Sequence, residues 1–282
     1  MMKKNLFSVL TALLLMAFFS ACDDHQLPQD VIEQKGLLLS GAQEFPAKET
    51  AAYGWADVSY NKTTKILSYK VSWYNLSGIP QGGHIHGTAL RGANAGIKHD
   101  FFASIPKTTT GTYSGSVLVD EVAIKETDLL NGLYYFNFHT PMNPGGEIRG
   151  QIEFYNQSHI ISRKGLPITG AQEVPAKNTA AMGTADVSYN KNTKVLSYYI
   201  TWKDLTSMPT GAHIHGTAAP GINAPIKHDF FAIFPSKLAG SFSNSVVVGT
   251  TINEADLLNG LYYFNIHNII YPAGEIRGQI QF

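Results

Sequence analysis

The sequence predicts an all-β protein made of two tandem β-sandwich domains, each carrying one short helix. Three observations lead there. The chain repeats itself: Gly41-Ala42-Gln43-Glu44 returns as Gly170-Ala171-Gln172-Glu173, and Asp128-Leu129-Leu130-Asn131-Gly132 as Asp256-Leu257-Leu258-Asn259-Gly260, about 129 residues on. That period is too long for a solenoid unit, so each copy is a domain. Apolar and polar residues alternate: Leu67, Tyr69, Val71 and Trp73 interleave with Ser68, Lys70 and Ser72, and Leu196, Tyr198, Ile200 and Trp202 repeat the pattern. Period two is the pattern of a half-buried strand. Charged residues are only 15% of the chain against 44% hydrophobic, which suits packed extracytoplasmic β cores better than helical or disordered structure.

The elements follow in order. Lys3 and Lys4 precede an apolar run from Leu6 to Phe19, shorter than the ~20 residues of a membrane-spanning helix, and Ser20-Ala21 close it. Phe19-Ser20-Ala21-Cys22 resembles a bacterial lipobox, and Cys22 is the single cysteine. The resemblance implies a signal peptide over 1–21, lipid attached to Cys22, a membrane partner through that anchor, and a cell-envelope location as an outer-membrane lipoprotein. Asp23-Asp24 resemble the acidic export signals of surface lipoproteins in the Bacteroidetes lineage, which extends the expectation to surface display. Residues 22–36 are polar and aperiodic, a tether. The domains are then 37–155 and 166–282, with a linker over 156–165. The 21 basic and 21 acidic residues cancel and no basic stripe is visible, which argues against nucleic acid as a partner.

Within a copy, Gly54 to Tyr60 and Gly115 to Val119 read as strands, and Tyr60 to Lys65 as a hairpin turn. A helix is expected from Glu126 to Asn131, ended by Gly132, and from Glu254 to Asn259 behind the N-cap Asn253. Two strands close the copy. Tyr134, Phe136 and Phe138 share one face, and Tyr135, Asn137 and His139 the other. Ile148, Ile152 and Phe154 oppose Glu147, Arg149 and Gln151, with Thr140 to Gly146 as a seven-residue turn. A hairpin must align the apolar faces. His139 and Asn137 then share a face with Glu147 and Arg149, and His267 and Asn265 with Glu275 and Arg277. Gln151 and Glu153 are expected to be solvated at an edge.

Gly41-Ala42-Gln43-Glu44 with Pro46-Ala47, His84-Ile85-His86-Gly87, Asn137 with His139, and Gly146-Glu147-Ile148-Arg149-Gly150-Gln151 together resemble the CHRD domain, a module also found in chordin, and both copies match. With the lipobox, the sequence is recognised as a tandem CHRD (chordin-type) domain bacterial lipoprotein. The resemblance implies an all-β domain of secreted bacterial proteins without an assigned molecular function. It does not import growth-factor binding, which belongs to cysteine-rich modules. His-x-His on one strand and a histidine ending another is similar, more weakly, to copper-zinc superoxide dismutase, a Greek-key sandwich. That likeness suggests Greek-key, immunoglobulin-like sandwiches with a superoxide-dismutase-like topology.

Side chains at i and i+2 of a strand point the same way, so His84 pairs with His86 and His213 with His215. Adding His139, or His267, from a neighbouring strand gives a three-histidine set suited to Cu or Zn. His99 and His228 join only if the loop around Lys98-His99-Asp100 folds back. Glu147 would orient His139 through its second ring nitrogen, with Asn137 and Arg149 beside it, and Glu275, Asn265 and Arg277 repeat this in copy two. The other reading is a hydrogen-bonded imidazole network that pins strand pairing. Four histidines and Asp100 do not furnish both metal shells of a superoxide dismutase. The nucleophile elbow, phosphate loop, dinucleotide fingerprint and His-Glu-x-x-His motif are absent, so no catalytic residue is expected. Glu44 and Glu173 lack a carboxylate partner and read as turn residues before proline. Trp73 and Trp202 read as core, whereas Trp55 becomes Thr184 in copy two. The function expected is a lipid-anchored, non-enzymatic module that binds a protein or glycan. The alternative is a metal-binding protein.

Overall fold

The computed structural model describes residues 30–282; the segment 1–21 expected to be a signal peptide and Cys22 lie outside the described residues. Domain 1 runs β1 (Val31–Ser40), β2 (Tyr53–Asn61), β3 (Ile66–Tyr74), β4 (Gly82–Gly87), β5 (Ile97–Asp100), β6 (Gly111–Leu118), α1 (Glu126–Leu130), β7 (Tyr134–Thr140) and β8 (Asn143–Gln151). Domain 2 repeats the series as β9 (Ile160–Thr169), β10 (Met182–Asn190), β11 (Val195–Lys203), β12 (Pro209–Gly216), β13 (Ile226–Asp229), β14 (Gly240–Val247), α2 (Glu254–Leu258), β15 (Tyr262–Asn268) and β16 (Ile276–Gln279). Each domain is one curled, antiparallel, eight-stranded sheet, in the order β5-β4-β7-β8-β1-β2-β3-β6 in domain 1. The seam between β8 and β1 is a single residue pair, Ser40 with Arg149, so two four-stranded halves face each other across one core. The chain changes halves after β3, β5 and β6, which is Greek-key connectivity. The expected pair of all-β sandwiches is what the chain forms, as two nearly closed barrels.

Alternation decides the core. Leu67, Tyr69, Val71 and Trp73 of β3 and Phe136 and Phe138 of β7 are buried, as are Ile148 and Ile152. Trp73 lies on Phe138 with ring centroids 4.9 Å apart, and its indole N–H donates to the Thr108 carbonyl. Each such side chain contributes roughly 1.5–3 kcal/mol on burial. The helices end as expected at Gly132 and Gly260, which take positive φ, and Asn253 accepts from the Asp256 amide.

Three sequence expectations need correction. Residues 31–36 of the supposed tether and 160–165 of the supposed linker are strand, the first halves of β1 and β9. Gly36 and Gly165, both at φ +67, shift the register, and Asp57 and Asp186 accept from their amides. The shift breaks the period-two pattern, so the segment reads as aperiodic. The turn between β7 and β8 is shorter than seven residues, because Thr140 already pairs with Asn143. Finally, Gln151 and Glu153 are buried, not solvated. The segment 41–52 and the loop 88–96 lie over the polar face of β4, β7 and β8 and hydrogen-bond to it.

Phe136→Ala removes a fully buried ring at the centre of domain 1. It is expected to lower unfolding stability of that domain by about 3–5 kcal/mol, read from the denaturant midpoint, whereas an Ala at the half-buried Tyr113 should cost clearly less.

Candidate metal centre

Strand parity builds the site. In β4, Ile85 enters the core while His84 and His86 turn to the polar face. β7 lies beside it with His84 opposite Asn137, His86 opposite Tyr135 and Gly82 opposite His139. Gly82 gives the imidazoles room, since a Cβ there would lie 2.7 Å from the His84 ring and 2.9 Å from the His139 ring. One ring nitrogen from each of His84, His86 and His139 lies within 4.8 Å of the others, and His213, His215 and His267 repeat the trio.

The remaining nitrogens are anchored. His86 Nδ1 reaches the Ala95 carbonyl at 2.8 Å and His139 Nδ1 the Pro144 carbonyl at 3.0 Å. The copies are His215 on Ala224 at 2.9 Å and His267 on Pro272 at 3.1 Å. His84 Nε2 faces Asp100 at 3.8 Å, and His213 Nε2 faces Asp229 at 3.6 Å. A carbonyl only accepts, so each anchored Nδ1 carries the proton and each Nε2 is left as a bare lone pair. In domain 1 two such lone pairs, on His86 and His139, meet at 3.4 Å. His84 Nδ1 is buried without a partner, as are His213 Nδ1, His215 Nε2 and His267 Nε2. Lone pairs converging with no donor between them repel unless a cation sits among them. A proton fits poorly: burial, then the neighbouring imidazoles, hold His84 and His267 down to about 4. His86, His139, His213 and His215 are lowered as well, burial again being the main cause. Neutral imidazoles are the form that ligates metals.

Behind the trio, the Tyr135 ring stacks on His86 (centroids 5.2 Å apart, 13° between planes), and the Arg149 guanidinium lies over the Tyr135 ring, 3.4 Å from its centroid. Tyr263 and Arg277 do the same for His215. Arg149 donates to the Ala93 and Leu90 carbonyls and to Gln151, so it ties the covering loop to β8. Burial pulls Arg149 down to about 10, which leaves it charged at neutral pH.

Two sequence expectations fail here, both through register. His99 and His228 stay out of the trios. Residues 97–100 are a strand, not a loop, so His99 sits opposite Ile85 and turns inward, where its Nε2 meets the Tyr69 hydroxyl at 3.0 Å. Its neighbour Asp100 faces His84 instead. Glu147 does not orient His139. The ladder shifts between Phe138 and Thr140, and Glu147 accepts from Thr50, Ser77 and Thr140. Burial pushes the Glu147 carboxyl up, but those hydroxyls outweigh it and the net shift is downward. Glu275 likewise serves Thr179, Thr206 and Asn268.

Sequence reasoning passed over Glu44 and Glu173. Both are buried, and Asn137 Nδ2 donates to Glu44 Oε2 at 3.5 Å. Burial raises Glu44 to about 8 and Glu173 to about 7, with Arg149 and Arg277 opposing. Glu44 Oε1 and Asn137 Oδ1 have no other partner, so a protonated Glu44 supplies the donor both acceptors lack. The signal in the sequence was the pairing of Gln-Glu-x-Pro with an outward Asn in both copies.

These raised values set a pH dependence. Between the usual 4.5 and about 8 the folded chain holds a proton on Glu44 that the unfolded chain releases, so this contribution to stability is full below 4.5 and falls as pH rises through 8. Denaturant midpoints are expected to decline from pH 5 to pH 9. The decline should flatten in Glu44→Gln/Glu173→Gln, whose amides keep the pairing without titrating.

The CHRD domain family model matches residues 36–152 and 166–280. Among curated proteins, chordin of Danio rerio is 28% identical over 159 residues, covering 54% of this chain and 17% of that protein. No solved structure matches. These findings correct the recognition of a bacterial lipoprotein and the outer-membrane location drawn from it: the family that matches is the CHRD domain, and the curated relative is a vertebrate chordin. By the match of both halves, the chain belongs to the CHRD domain family, as two tandem domains.

Proposed function

We propose that this chain is a non-enzymatic binding module in which each domain holds one transition-metal ion, Cu or Zn, on three histidines: His84, His86 and His139 in the first, His213, His215 and His267 in the second. The observation that supports it is the convergence of three ring nitrogens in both copies, with two of the three imidazoles anchored from behind by carbonyls and the third facing an aspartate. Such backing is how ligating imidazoles are usually oriented. Three imidazoles suit Cu or Zn, and they leave a coordination position open for a water or a partner's side chain. The nearby polar groups are engaged with one another: Arg149 with carbonyls and Tyr135, Glu44 with Asn137, Glu147 with hydroxyls. That favours holding over turnover.

Exposed apolar side chains flank the sites and support an interaction role with a protein or glycan partner. Met142 lies on the turn after His139, and Ile269 and Ile270 follow His267. Trp55, 45% exposed, lines the cleft between the domains with Tyr155 and Tyr199.

Chain purified without a polyhistidine tag is expected to carry close to two equivalents of Cu or Zn by elemental analysis. His84→Ala should remove one equivalent and His84→Ala/His213→Ala both. Added metal at about a hundred times its Kd should stabilise each loaded domain by about 2.7 kcal/mol. Metal-free protein whose melting ignores both ions would overturn the reading.

A further inference from the structure

The two copies are not equal where they touch. Arg91, in the loop 88–96 of domain 1, donates to both Glu153 oxygens at 3.1 and 2.8 Å, to Gln43 at 2.7 Å and to Ser243 of domain 2 at 3.0 Å. Ser245 of domain 2 donates to the Arg91 carbonyl at 2.7 Å. Gly92 lies so close to domain 2 that a Cβ there would strike the Asn244 side chain. In domain 2 the same positions are Pro220, Gly221 and Gln281. Gly221 has nothing within 4 Å of a Cβ, and the side-chain oxygen of Gln172, the copy of Gln43, accepts from the Gln279 amide of its own domain where that of Gln43 accepts from Arg91.

This loop also serves the first histidine trio. Its Ala95 carbonyl anchors His86, its Ala95 amide donates to the Tyr135 hydroxyl, and its Leu90 and Ala93 carbonyls hold Arg149. Domain 2 therefore grips the segment that sets the His86 ring. In domain 2, Arg277 reaches the equivalent loop only through Asn223 at 3.5 Å, and prolines 220 and 225 restrict that loop by themselves.

We propose that Arg91 couples domain docking to the first histidine site: contact with domain 2 preorganises the first site, while the second is preorganised within its own domain. This rests on the metal reading above. Because such coupling is reciprocal, an ion in the first site also favours docking.

The test isolates each site. His213→Ala leaves the first site and His84→Ala the second, and each background receives Arg91→Ala or, from the domain 2 side alone, Ser243→Ala/Ser245→Ala. Zn affinity is measured by competition with a chromogenic chelator. Loss at the first site of about tenfold, with the second within twofold, is expected for Arg91→Ala, and a smaller loss of the same kind for the serine pair. Equal loss at both sites, or none at the first, would overturn the coupling. Hydrogen exchange on the metal-free chain gives a readout that needs no metal. Faster exchange over residues 88–96, with 217–225 unchanged, is expected for both variants, and unchanged exchange at 88–96 would also overturn it. Wild-type chain that binds neither Zn nor Cu at either site, with the exchange change still seen in the variants, would sink the metal reading and keep the clamp.

Discussion

The two-residue alternation along β4, β7 and β8 is the constraint on which the rest depends. It sends Ile85, Phe136, Phe138 and Ile148 into the core, and so it must send His84, His86, Tyr135, Asn137, His139 and Arg149 to the opposite face. Two segments of the same domain then cover that face. A polar face under cover must satisfy its own donors and acceptors, and most of this one does. Arg149 finds carbonyls and a ring, Glu147 finds hydroxyls, and Glu44 keeps its proton. The histidine trio is the conspicuous remainder. The same backbone rule that makes the core makes the site, and the residual lone pairs give the site its chemistry.

Much of this was legible in the residues. The duplication, the strand and helix types and the membership of each trio follow from local periodicity and from the recurrence of His-x-His with a strand-ending histidine. What failed has a common cause, which is register. Gly36 and Gly165 insert a bulge, and the strand beyond it no longer alternates in the sequence. The ladder between β7 and β8 slips after Phe138, so Glu147 serves Thr50 and Ser77 and not His139. His99 is one residue from the position that would have brought it to the site, and Asp100 occupies that position. Period-two patterns name faces well within a regular ladder and lose them at each irregularity.

Loops were the second blind spot. One of the two segments that cover the site, the loop 88–96, contributes mostly backbone carbonyls. Ala89, Leu90, Ala93 and Ala95 bind Gln151, Arg149 and His86 without a functional side chain among them. Such groups leave no trace in residue identity. Glu44 was visible, but its role depends on being buried 93 residues away from its Asn137 partner, a contact only the folded chain defines.

The single-pair seam between Ser40 and Arg149 has a mechanical consequence. Tension applied along β1 is borne there by one rung, whereas β1 is stitched to β2 over most of its length. The barrel therefore has a built-in tear line, and Arg149, the residue at the tear, also stacks behind the histidine trio. A break along this line would therefore reach the support of His86 through Arg149 and Tyr135.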